Sequence, residues 1–269
     1  LGVYRDRNFA ASSIIMVFVM FGFFSSMVLL ALFTQKVLGY DAWTSGLVLA
    51  PGGVGNLLSL VIAGRFINRM DQRLLLALGC VLNAWAAWNM SVLTSGVDYW
   101  GLAWPRFVQG LGVGFIFVPL NAVGLATIPR ISMGNATALL NVVRNLGGGA
   151  GVAIVSMLLA RRTQEHQSTL IAHVNPFDAE TAARLSAWTA HFGAQGADSF
   201  TAQQRALAMV YREVTRQAQV LAFADDFWLL FVLFCGTLLL LPLLERVRTG
   251  PVRSSRANAD DAPGPVPIE

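Results

Sequence analysis

Two arginines, Arg106 and Arg144, stand inside long apolar runs of this chain, and their chemistry asks most for an explanation. Charge in hydrocarbon is costly, so an ionisable side chain there is by default functional and needs a named partner. Around Arg144 the spacing is regular. Asn141, Arg144 and Asn145 lie three and four residues apart on one helix face, and Gly148 and Gly151 continue the stripe. A polar group above a smooth glycine surface suits a helix that lines a water-filled cavity while packing tightly on a neighbour. Snorkelling to the interface, or capping a neighbouring helix C-terminus, is the other reading of Arg144. Arg106 and Gln109 repeat the theme at i and i+3, followed by Gly110, Gly112 and Gly114, then Pro119 and Asn121. For Arg106 the alternative is an interfacial place beside Trp100 and Trp104, which would form an aromatic belt. The apolar runs contain these two arginines and no carboxylate.

Catalytic chemistry finds little to use. His166, His173 and His191 fall in one polar stretch without the close spacing of a metal site. No apolar run pairs a serine with a histidine, or two aspartates, as intramembrane hydrolysis would require. The glycines at 110–114 lie inside an apolar run rather than between a strand and a helix, which excludes a nucleotide loop. Cys80 and Cys235, both in apolar runs, read as core packing. The chain is therefore expected to be no enzyme and to use no cofactor or metal.

The elements that must position these residues follow from composition. Of 269 residues, 55% are hydrophobic and 13% charged, with a mean hydropathy of +0.57. Soluble domains run about 45–50% apolar and about 25% charged. Six apolar runs, at 9–33, 46–64, 74–93, 104–127, 138–160 and 227–244, match the roughly 20 residues of a membrane-spanning helix. Barrel strands would be short and alternating. The expected fold class is all-α integral membrane, with six transmembrane helices in one bundle. Glycines four apart, Gly110/Gly114 and Gly147/Gly151, predict close helix packing. Pro51, Gly52, Gly53 and Gly55 predict either a hinge or partly unwound site in the second run, or a packed kink.

Arginine placement orients the bundle. Ten arginines, Arg5 and Arg7 first and Arg253 and Arg256 last, fall on one side, and the two short loops opposite hold Lys36 with Asp41 and Asp98. By the positive-inside rule both ends are expected to be cytoplasmic. The basic bias is thus a topology signal, and nucleic acid drops out as a partner. Residues 1–160 are expected to hold the first five spans, 161–226 an extracytoplasmic loop, 227–248 the sixth span and 249–269 a disordered tail. Within the loop, 180–192 and 201–223 look helical, the second capped by Thr201, with Leu207, Val210, Val214 and Leu221 on one face. Such a pair lies on the membrane or bundle, or offers a docking surface.

Residues 64–73 read GRFINRMDQR, and this resembles the loop motif of the major facilitator superfamily, with Asn68 where that pattern usually has aspartate. The charged turn also reads as plain topology anchoring. WPRFVQG at 104–110, PLN at 119–121, NVVRNLGG at 141–148 and the long loop with VNPF at 174–177 follow in order. That series resembles the C-terminal half of the 14-spanning drug:proton antiporters of the EmrB/QacA type. The resemblance implies secondary active efflux of an amphipathic small-molecule substrate against protons, by two bundles rocking around a central cavity. It implies a pathway at Arg106, Gln109, Asn121, Asn141, Arg144 and Asn145, and a conformational latch at Gly64, Arg69, Asp71 and Arg73. Helix packing or hinging falls to Pro51, Gly52, Gly110, Gly114, Gly147 and Gly151. The implied partners are the lipid bilayer, the missing N-terminal half of the transporter and a periplasmic adaptor protein. Transport of a specific metabolite and a non-transporting half-length scaffold remain open beside this reading.

Overall fold

The computed structural model describes residues 6–67, 69–173 and 179–244. They form seven α-helices: α1 (Arg7–Lys36), α2 (Ala42–Phe66), α3 (Gln72–Ser91), α4 (Tyr99–Ala126), α5 (Met133–His173), α6 (Ala179–Ala194) and α7 (Ser199–Leu240). Short 3-10 turns at Arg130–Ser132 and Leu241–Leu243 precede α5 and follow α7. Six of these segments, all but α6, are long and apolar enough to cross a membrane. The protein is an all-α bundle of six membrane-spanning helices.

Aspartates start the helices. Asp6, Asp41, Asp71, Asp98 and Asp198 accept the backbone N–H groups of Phe9, Thr44, Arg73, Gly101 and Thr201, respectively. Each satisfies one of the donors that a helix N-terminus leaves unpaired. The cap of α7 is therefore Asp198, and Thr201, expected in that role, is the residue it caps. At Asp41 and Asp198 the side-chain hydrogen bonds of Thr44 and Thr201 hold the carboxyl below the usual carboxylate range.

The α4 helix packs on α2, α3 and α1, whereas α7 packs on α3, α5 and α1. Two apolar cores fill the bundle. Leu29, Phe33, Met90, Leu102, Phe223 and Phe227 belong to one, at the ends of α1 and α3 remote from residue 7. Met16, Leu76, Cys80, Ile116, Leu120 and Leu241 belong to the other. Large apolar side chains also cover the outside, among them Val61, Leu146 and Leu239. In water that distribution would be unstable; against lipid tails it is neutral, and helices associate instead through close packing of small residues.

Two boundaries differ from expectation. The α5 helix continues past residue 160 to His173, and α7 runs unbroken from Ser199 through residue 226 to Leu240. At 1.5 Å per residue, helices of 41 and 42 residues are about 60 Å long, roughly twice the hydrocarbon thickness. Among the described residues, the polar stretch between the fifth and sixth apolar runs thus extends both helices, with α6 packed on α7. Asn68, the 174–177 motif, Arg5 and the 249–269 tail lie outside the described residues.

Candidate functional site

Small residues bring α2 and α4 close enough to enclose a long polar side chain. A Cβ on Gly110 would land on the Gly52 carbonyl, one on Gly55 on the Phe107 carbonyl, and one on Gly114 on the Ser59 hydroxyl. The second apolar run neither breaks nor unwinds: α2 is continuous through Pro51. Proline lacks the N–H that would satisfy the carbonyl four residues earlier. That carbonyl belongs to Leu47, and the Tyr99 hydroxyl of α4 donates to it at 3.1 Å. The sequence reading passed over Tyr99, although Pro51 signals that an orphan carbonyl needs an outside donor.

The Arg106 side chain lies along Gly52, where a Cβ would meet its Nε at 2.7 Å. Arg106 is 4% exposed and Gln109 is fully buried. The Arg106 Nη1 donates to Gln109 Oε1 at 2.5 Å, and Gln109 Nε2 donates to Ser26 Oγ of α1 at 2.7 Å. The guanidinium sits 5.4 Å from the Phe23 ring centroid, a cation–π distance. Its Nε has no hydrogen-bond partner, and among the described residues no carboxylate pairs with it. Interfacial snorkelling is excluded, because Trp100 and Trp104 are exposed while Arg106 turns inward. A buried cation without a counter-charge costs several kcal/mol, so this arrangement persists only because packing and hydrogen bonds hold it.

The other expected pathway residues separate from this pair. Arg144 is half-buried, with its guanidinium 4.3 Å from the Phe117 ring centroid on α4. It bridges α5 to α4 across a ring and caps no helix end. Asn121 donates its amide to the Phe117 carbonyl at 2.7 Å within its own helix. Asn141 and Asn145 are exposed. The glycines beyond them face α1: a Cβ on Gly147 would meet the Val17 carbonyl at 2.8 Å, and one on Gly151 the Phe21 carbonyl at 2.6 Å.

Near the C-terminal end of α2, a Cβ on Gly64 would meet nothing within 4 Å. Among the described residues no helix therefore packs on Gly64. Asp71 caps α3 through the Arg73 N–H at 3.1 Å. Arg69 is exposed and Arg73 half-buried.

A further cluster was not anticipated. On α7, Asp226 is fully buried, and neither carboxylate oxygen has a hydrogen-bond partner. Arg162 Nη1 of α5 lies 3.6 Å from Asp226 Oδ1 and 3.8 Å from Asp225 Oδ2. His166 Nε2 is 2.8 Å from Asp225 Oδ2. Asp226 lies one residue before the sixth apolar run, so the runs themselves hold no carboxylate, yet a buried one adjoins them. The available signal was spacing: Asp226 falls on the stripe formed by Phe223, Phe227, Leu230 and Phe234, all buried. Among the described residues, no group of three or more His, Cys, Asp or Glu could hold a metal ion.

Comparison with known proteins agrees with this architecture. A family model described as Major Facilitator Superfamily matches residues 1–152, from the start of the chain through the first half of α5. Multidrug export protein EmrB of Escherichia coli K12 is 29% identical over 230 residues, covering 85% of this chain and 43% of the relative. Fatty acid resistance protein FarB of Neisseria gonorrhoeae is 33% identical over 189 residues, covering 69% and 37%. Colistin resistance protein EmrB of Acinetobacter baumannii is 24% identical over 246 residues, covering 91% and 48%. The chain spans less than half the length of each. The six spanning helices and the matched family model together lead to one assignment: this chain belongs to the Major Facilitator Superfamily and is related to its multidrug and toxin efflux proteins.

Proposed function

We propose that this chain supplies one bundle of a secondary active transporter that exports amphipathic toxic compounds in exchange for protons across a bacterial inner membrane. Both ends of the bundle face the cytoplasm, as the arginine distribution favours. The reading rests on Arg106, a buried cation held by Gln109 and stacked near Phe23 with no carboxylate beside it among the described residues. Such a charge favours states in which an anionic group of a substrate, or of a facing bundle, comes within reach. The relatives named for multidrug export and fatty acid resistance support a substrate with a large apolar part. Arg144, on the Phe117 ring, stands at the open face of α4 and α5, with Asn141 and Asn145 exposed beside it. A second, N-terminal bundle would close that face.

The turn carrying Gly64, Arg69, Asp71 and Arg73 would latch the inward-closed state against the facing bundle. The extended hairpin of α5, α6 and α7 reaches well past the hydrocarbon and would meet a periplasmic adaptor. The test is drug susceptibility conferred by the complete native protein in a hypersensitive strain. Arg106→Leu and Arg144→Ala are expected to abolish resistance at equal membrane expression. Unchanged resistance in both, at equal expression, overturns the roles of these arginines.

A further inference from the structure

The α5–α7 seam carries an unbalanced set of charges at a level where water and lipid meet. Phe223 packs edge-on against Phe33 with ring centroids 5.4 Å apart, near the end of α1 at Lys36. Asp226, one helical turn along from Phe223, therefore sits about 4–5 Å deeper in the bundle. Its neighbours on α7 are the buried Phe223, Phe227 and Leu230. The charged groups facing it are Arg162 and His166 of α5 and Asp225 of α7 itself. From α1 the charge at this end is Lys36, which is exposed. The only charged residue of α3 is Arg73, at the opposite end. The Arg161–Glu165 pair is turned to solvent, and the Arg184–Glu213 pair joins α6 to α7.

Within the cluster, two carboxylates share one permanent cation. With His166 neutral the sum is one negative charge, and Asp226 bears its share without a hydrogen bond to either oxygen. One proton balances the cluster. On His166 Nε2 it makes two neutral pairs, His166 with Asp225 at 2.8 Å and Arg162 with Asp226 at 3.6 Å. On an Asp226 oxygen it removes the buried charge directly. Burial of Asp226 and the nearness of Asp225 both disfavour the deprotonated set, and Arg162 works against them.

We propose that Arg162, His166, Asp225 and Asp226 form a proton-binding site that takes up one proton from the aqueous side of the α5–α7 hairpin and so tightens the seam between the two helices. The proton is shared by His166, Asp225 and Asp226 around the permanent cation Arg162 and belongs to the set rather than to one residue. The site lies apart from Arg106 and does not depend on export being the correct reading of the bundle.

The test is pH-difference infrared spectroscopy on the complete native protein in lipid vesicles, scanned from about pH 8 to about pH 5. The expected result is uptake of one proton more than in the Asp226→Asn variant, visible as an imidazolium or carboxylic acid signal. Asp226→Asn, which restores charge balance, is expected to abolish it. Arg162→Gln, which doubles the imbalance, is expected to move the transition upward by about 1–3 pH units. His166→Gln is expected to convert the signal to that of a carboxylic acid. Loss of the transition in Asp226→Asn together with its upward move in Arg162→Gln is not what a packing role produces. A titration unchanged in Asp226→Asn, or an Arg162→Gln transition that stays in place or moves down, overturns the proposal. If Asp226→Asn fails to fold, Asp225→Asn tests the same loss of signal.

Discussion

The α2–α4 seam and the α5–α7 seam both hold long helices together, and they do so by opposite means. Between α2 and α4, glycines 52, 55, 110 and 114 let backbones meet, and the charge enclosed there, Arg106, is held by an amide and an aromatic ring without a counter-charge among the described residues. Between α5 and α7, full-length side chains meet through charge and hydrogen bonds, with Arg162 and His166 set against Asp225 and Asp226 and Gln167 donating to Tyr211 at 2.7 Å. The difference follows the solvent. Lipid offers no hydrophobic drive toward association, so close packing must supply it, whereas helices that emerge toward water can be joined by polar groups that water leaves partly competitive. The family model covers the first seam and stops at residue 152, before the charged part of the second.

The comparison can be broken first at Gly110. Gly110→Val would drive a side chain into the Gly52 backbone, and overpacking of this kind costs about 3 kcal/mol or more where backbone must move. Thermal unfolding in detergent is expected to show a large loss, while Gly149→Ala, with open space around its Cβ, leaves stability unchanged. Equal effects of the two would remove the distinction between glycines that lock a seam and glycines that do not.

Tyr99→Phe sharpens the comparison at intermediate size. It removes the donor to the Leu47 carbonyl that Pro51 leaves unpaired, for an expected loss of about 1 kcal/mol by the same unfolding measurement. A Pro51→Ala background should reduce that loss, because the helix then satisfies Leu47 itself. The smallest effect is expected at Arg184→Ala on α6. Its partner Glu213 lies at 3.3 Å, and both side chains are about half exposed, so solvent screening limits the change to about 0.5 kcal/mol, vanishing in high salt.

Much of the fold was legible in the sequence because lipid imposes it directly. Three of the six apolar runs lie within a helix and the other three end one to four residues beyond one, and the paired glycines at 110/114 and 147/151 sit where helices meet. The site was less legible. Arg106 and Arg144 looked alike as single charges in apolar runs, yet one is sealed beneath Gly52 and the other rests half-buried on Phe117. Asp226 was hidden for a related reason: hydropathy places it at the edge of a polar stretch, and only its register on a continuous α7 turns it inward.

What the sequence determined by itself is the architecture: length and hydropathy demand six spans, because every backbone polar group in a bilayer must be satisfied within its own helix. The sorting of arginines favours one orientation of those spans, by electrostatics that need no knowledge of packing. The tertiary structure decided which charges have partners. Pairing depends on which faces of separate helices meet, and residues 162 and 226, or 26 and 109, are brought together only by the packing of the bundle.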